Sequence, residues 1–89
     1  MFFYRYENPK SLVYFNLSVD EVAIHVHNFL HDLDFSRYRT VNFLVSKNRR
    51  GEKYSLAIIF CQNVMTKEQL HKMIDKLPAP EGVNWLGGR

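Results

Sequence analysis

Residues 44–61 read LVSKNRRGEKYSLAIIFC, two apolar runs joined by a cluster of cations. The second run, YSLAIIFC at 54–61, is the most apolar stretch of the chain. A strand of that character needs cover on both faces, so it is expected at the centre of a sheet. The first run belongs to TVNFLVSK, residues 40–47, in which Val41, Phe43 and Val45 share one face. Alternation with a period of two marks a second strand. Asn48 to Gly51 supplies the turn between them, so the two runs are expected to form a hairpin.

Working outward, SLVYFNLS at 11–18 reads as another apolar strand. Ahead of it, Asn8-Pro9-Lys10 signals a turn, because proline pre-sets the backbone angle that a turn needs. The aromatic run FFYRYE, with Phe2, Tyr4 and Tyr6 on one side, is expected to add an edge strand. Ser18-Val19-Asp20-Glu21 has capping-box spacing, with Leu17 and Val22 placed for a hydrophobic staple. Val22, Val26, Phe29, Leu30 and Leu33 recur at helical spacing, so a helix buries one stripe and ends near Asp34. Thr66 and Gln69 repeat the capping box, and Leu70, Met73, Ile74 and Leu77 line that second helix until Pro78 and Pro80 stop it. VNWL at 83–86 reads as a short final edge strand. These readings amount to one α+β domain over residues 1–89, ordered ββαββα(β). It has an antiparallel sheet of four to five strands with two helices on one face.

From Leu12 to Leu86 this order resembles the RNA-recognition-motif family and the wider ferredoxin-like group. LVYFNL, ending in Asn16-Leu17, is similar to the family's first-strand motif, and Lys53 to Phe60 corresponds to its third strand. The family stacks bases on aromatics at outward positions of these strands. Here those positions hold Val13, Ser55 and Ala57. The resemblance therefore implies a fold and not the stacking platform.

Charge is unevenly spread. From Arg37 to Lys53 there are six basic residues and one acid, Glu52, whereas the rest of the chain is net negative. Clustered cations gain affinity for a polyanion through counterion release. Lys47, Arg49, Arg50 and Lys53 at the hairpin, with Arg37 and Arg39 before it, are candidate phosphate contacts. Tyr38 and Tyr54 are candidate stacking partners. The cations do not form one patch, because a strand at about 3.3 Å per residue separates the two clusters by roughly 20–25 Å. Polar hairpin tips also simply keep sheets from pairing edge to edge. The second candidate surface is aromatic: Phe2, Tyr4, Tyr6 and Trp85 could anchor a protein partner.

Other chemistry is thinly supported. His27, His31 and Asp34 share a helix face, but no fourth ligand and no metalloprotease spacing accompanies them, so no metal or other cofactor is expected. Cys61 ends an apolar strand without a neighbouring base, which suits a buried hydrophobe better than a nucleophile. No serine sits in a catalytic motif, and no glycine-rich loop cradles phosphate. The expectation is a small non-enzymatic binding protein, contacting nucleic acid through the basic hairpin. The alternative is a protein-interaction module, an adaptor or inhibitor of a larger bacterial or phage-type machine, using the aromatic N-terminal edge. Self-association is left open. A lone cysteine and the polar start of the chain suggest a cytoplasmic protein with no membrane segment.

Overall fold

In the computed structural model, residues 9–48 and 52–86 are described. They form β1 (Lys10–Leu17), α1 (Val19–Asp32), β2 (Thr40–Lys47), β3 (Tyr54–Cys61) and α2 (Lys67–Lys76). The sheet has three strands in the order β1-β3-β2, and β3 runs antiparallel to both neighbours. β1 and β2 are therefore parallel to each other, and the crossover between them contains α1.

Helix starts follow the caps. The Ser18 hydroxyl accepts from the Glu21 amide at 3.2 Å, and the Glu21 carboxylate accepts from the Ser18 amide at 3.1 Å. The Ser18 amide first, and then the Ser18 hydroxyl, hold the Glu21 carboxyl below its usual range. Thr66 and Gln69 make the same reciprocal pair at the start of α2.

Two expectations of the fold are corrected. The sheet has three strands among the described residues, rather than four or five. The expected strand over Phe2 to Tyr6 lies outside them, and residues 83–86 fold as coil and turn instead of a strand. The second correction concerns the layers. Leu56 and Ile58 cluster with Leu17 and with Val22, Val26 and Phe29 of α1. Ala57 and Ile59 cluster with Ile74 and Leu77 of α2 and with Trp85. Successive residues of a strand point to opposite faces, so the two helices cover opposite faces and do not share one. The reason lies in β3 itself. Leu56, Ala57, Ile58 and Ile59 are all fully buried, and an apolar run without alternation leaves neither face fit for water.

β1 adjusts to these layers with a bulge. Its pairing runs from Tyr14 opposite Leu56 to Leu17 opposite Tyr54, so Phe15 and Asn16 together oppose Ser55. Asn16 takes φ 60°, a left-handed conformation that asparagine tolerates better than most residues. Without the extra residue, strict alternation would turn Leu17 away from α1. With it, Leu17 joins the α1 layer and Phe15 turns toward the other, its ring 6.2 Å from Trp85.

The segment after α2 is tied beneath the sheet. The indole N–H of Trp85 donates to the Pro78 carbonyl at 2.9 Å, and the Asn84 amide donates to the Ser46 hydroxyl at 2.9 Å. Gly82 supports this path with φ +89°, where an added Cβ would lie 2.8 Å from Oδ1 of Asn48. Gly82→Ala is expected to cost about 1–2 kcal/mol, mostly from the left-handed backbone. Denaturant unfolding measures it, and an unchanged midpoint would mean that the loop adopts another path.

Candidate interaction edge

The site begins with the difference between the two outer strands. β1 is interrupted by its bulge and begins at Lys10, devices that blunt an edge against pairing. β2 has neither. Its register with β3 is continuous from Thr40 opposite Cys61 to Lys47 opposite Tyr54. Val41 to Ser46 carry no charge and no proline. On its far side β2 pairs with no strand among the described residues.

The two faces of β2 differ. On the α2 side it is fastened at both ends. The Thr40 hydroxyl donates to the Asn63 carbonyl at 2.6 Å and accepts from the Met65 amide at 3.2 Å, while buried Ser46 holds Asn84. Leu44, between them, packs into the α2 layer. On the α1 side the cover is thin. α1 lies over β1 and β3, and none of its residues is fully buried. Phe29 reaches across to touch Phe43 edge-on, with ring centroids 5.9 Å apart. Beyond that contact Phe43 remains 36% exposed and Val45 51% exposed. An apolar pair beside a strand edge that is regular and uncharged through its centre is a ready template for another strand.

The cationic candidates divide between the ends of this edge. Exposed Arg37 and Arg39 precede Thr40, while exposed Lys47 and Lys53 stand at the hairpin end. That hairpin is drawn together by the Asn48 amide donating to the Lys53 carbonyl at 2.8 Å. Arg49 and Arg50 lie outside the described residues. The candidate stacking rings are partly engaged. Tyr38 meets Phe60 edge-on at 5.4 Å, with the Arg37 guanidinium 6.0 Å from its ring centre. Tyr54 is half-buried beside an open cavity of about 230 Å³ that Phe15, Asn48 and Lys53 also line.

Val13 and Ala57 are paired neighbours on the α2 side, and Ser55 shares that face. This is the face that the RNA-recognition-motif resemblance would leave open to bases. Here α2 and Trp85 cover it, so the absent aromatics are core positions and not an empty platform.

The aromatic candidates separate as well. Phe2, Tyr4 and Tyr6 lie outside the described residues. Trp85 is 6% exposed and belongs to the core. On α1, His27 and His31 have ring centroids 6.3 Å apart, but His31 contacts Asp32. Asp34 accepts from the hydroxyl and amide of Ser36, which hold its carboxyl below the usual range. Among the described residues no three such ligands converge on a metal position. His25 stacks on Tyr14 at 4.1 Å, a pairing that helical spacing alone does not reveal. Cys61 is buried. No described helix is long and apolar enough to cross a membrane. Compared with family models, curated proteins and solved structures, the chain matches none of them.

Proposed function

We propose that the chain is a small non-enzymatic protein-interaction module, an adaptor or inhibitor, that takes a partner's strand along β2. One observation carries this reading. β2 is an eight-residue edge without bulge or proline, uncharged from Val41 to Ser46, with Phe43 and Val45 exposed beside it. Strand addition of this kind takes affinity from the backbone ladder and specificity from alternate side chains. The partner edge thus moves from the aromatic N-terminus to β2. A cytoplasmic setting is part of the proposal and rests on the single cysteine.

Placing a charge in the middle of the edge tests it. Val45→Lys should leave the thermal melt nearly unchanged, because the side chain is half exposed. It should weaken partner binding about thirtyfold, the scale of a central interface residue. Capture from nuclease-treated lysate should recover a stoichiometric protein with the wild type and lose it with Val45→Lys. Recovery that ignores the substitution sinks the reading.

The hairpin end supports a second reading, phosphate contact, because Lys47 at the end of β2 and Lys53 just before β3 both stand exposed there. Oligonucleotide binding across a salt series, for wild type and for Lys47→Ala/Lys53→Ala and Arg49→Ala/Arg50→Ala, measures it. Each lost phosphate contact should flatten the slope of log K against log salt by about 0.9 on duplex DNA. No binding at low salt ends this reading.

A further inference from the structure

The charge around β2 narrows the partner. No acidic residue occurs between Asp34 and Glu52. Arg37 and Arg39 lie at one end of the edge, and Lys47, with Lys53 across the hairpin, at the other. Between them Val41 to Ser46 are uncharged. The edge is thus apolar in its centre and cationic at both ends.

That layout discriminates among strands. In an antiparallel pair of two copies centred on Leu44, Lys47 of each faces Val41 of the other, with Arg39 two residues further along. A parallel pair sets Lys47 beside Lys47. Both registers bring Arg39 and Lys47 of the two copies together, since the nearby acids Asp34 and Glu21 act on Arg37 and Lys53 instead, and like charges across a strand pair are destabilising. A second copy is therefore a poor occupant. A strand with an acid at each end meets both cationic ends while its centre pairs with the uncharged stretch. Its alternate residues on the α1 side land beside Phe43 and Val45 and gain from being large and apolar. Those on the other side abut the segments held by Thr40 and Ser46, where small polar residues fit.

We propose that β2 binds an extended acidic peptide segment of a protein partner, with alternating apolar residues in its centre and Asp or Glu near both ends. This rests on the reading of β2 as a strand-addition edge and adds the class of ligand. End charges act mainly through steering and register, so they should change affinity roughly tenfold and lose effect as salt rises.

The test selects a displayed library of strand-length random peptides on three forms of the full chain: wild type, Arg39→Glu/Lys47→Glu and Val45→Lys. Thermal melts verify that each form is folded. The wild type should enrich alternating apolar sequences with acidic ends. The charge-reversed form should enrich the same centres with Lys or Arg at the ends, and Val45→Lys should enrich neither. A synthetic copy of the best wild-type peptide should bind roughly tenfold more tightly at low salt than its version with Lys for each acid. Enrichment that depends on Val45 but shows no acidic bias overturns the acidic ligand and leaves the edge reading standing. No enrichment dependent on Val45 overturns both. A dimer in sedimentation that Val45→Lys dissolves also overturns the proposal, because it gives the edge to a second copy.

Discussion

Ile58→Ala and Ile59→Ala should each cost about 2–5 kcal/mol of folding stability, although the residues are adjacent in sequence. Both are fully buried at the centre of β3. Ile58 packs with Leu17 and the α1 stripe, and Ile59 with Ile74, Leu77 and Trp85. Each truncation leaves a cavity that the central strand of the sheet has little freedom to close. A chain of this length has total stability of roughly 4–13 kcal/mol, so the double variant should be largely unfolded in water. The pair of single variants tests the layer arrangement directly. With both helices on one face, one of the two isoleucines would face solvent, and its truncation would stay within about 0.5 kcal/mol. Denaturant unfolding of the two variants distinguishes the architectures, and a strongly unequal pair of costs would refute opposed helices.

The same residues show where sequence pattern carries structural information and where it stops. Elements defined by local chemistry are legible. The strands at Thr40–Lys47 and Tyr54–Cys61 coincide with their apolar runs, and both helices begin at their capping boxes. Local pattern cannot choose the face that a helix covers when the central strand is apolar on both. It also did not reveal the bulge, because Phe15-Asn16 looks like any pair of strand residues until Leu17 has to meet Val22. VNWL alternates as a strand does, but Trp85 contributes more as core filler under the sheet than as an edge residue.

The candidate site was half legible for a related reason. The uncharged run in TVNFLVSK is visible in the sequence, and the cations around it are visible too. That the strand lies at an edge depends on the order β1-β3-β2, which arises from pairings distant in sequence. Alternation marks Val41, Phe43 and Val45 as sharing a face, yet α1 leaves Phe43 and Val45 open by lying over β1 and β3. The exposed pair therefore follows from where the crossover helix comes to rest.

Trp85→Ala should be among the most damaging single substitutions outside the sheet, at about 3–5 kcal/mol. The ring is buried among Ala57, Ile59, Ile74 and Leu77, and its N–H donates to Pro78. Trp85→Phe keeps most of the apolar volume and loses that hydrogen bond. It should cost less, with about 1 kcal/mol of its loss due to the unpaired Pro78 carbonyl. Trp85 is the single tryptophan, so in the wild type its emission should move to longer wavelength on unfolding, which gives the assay its signal. For the alanine variant, far-ultraviolet circular dichroism replaces it. The consequence reaches the binding edge, because Trp85 anchors the segment whose Asn84 amide reaches Ser46. Releasing that segment would uncover Leu44 on the α2 side of β2, adding apolar surface to an edge strand that already exposes Phe43 and Val45. Loss of stability should therefore come with concentration-dependent aggregation, which adding Val45→Lys should reduce. Had Trp85 been a surface anchor for a partner, Trp85→Ala would leave the melt unchanged and abolish binding alone. Its burial predicts the reverse order: stability is lost first, and binding changes follow from the altered edge.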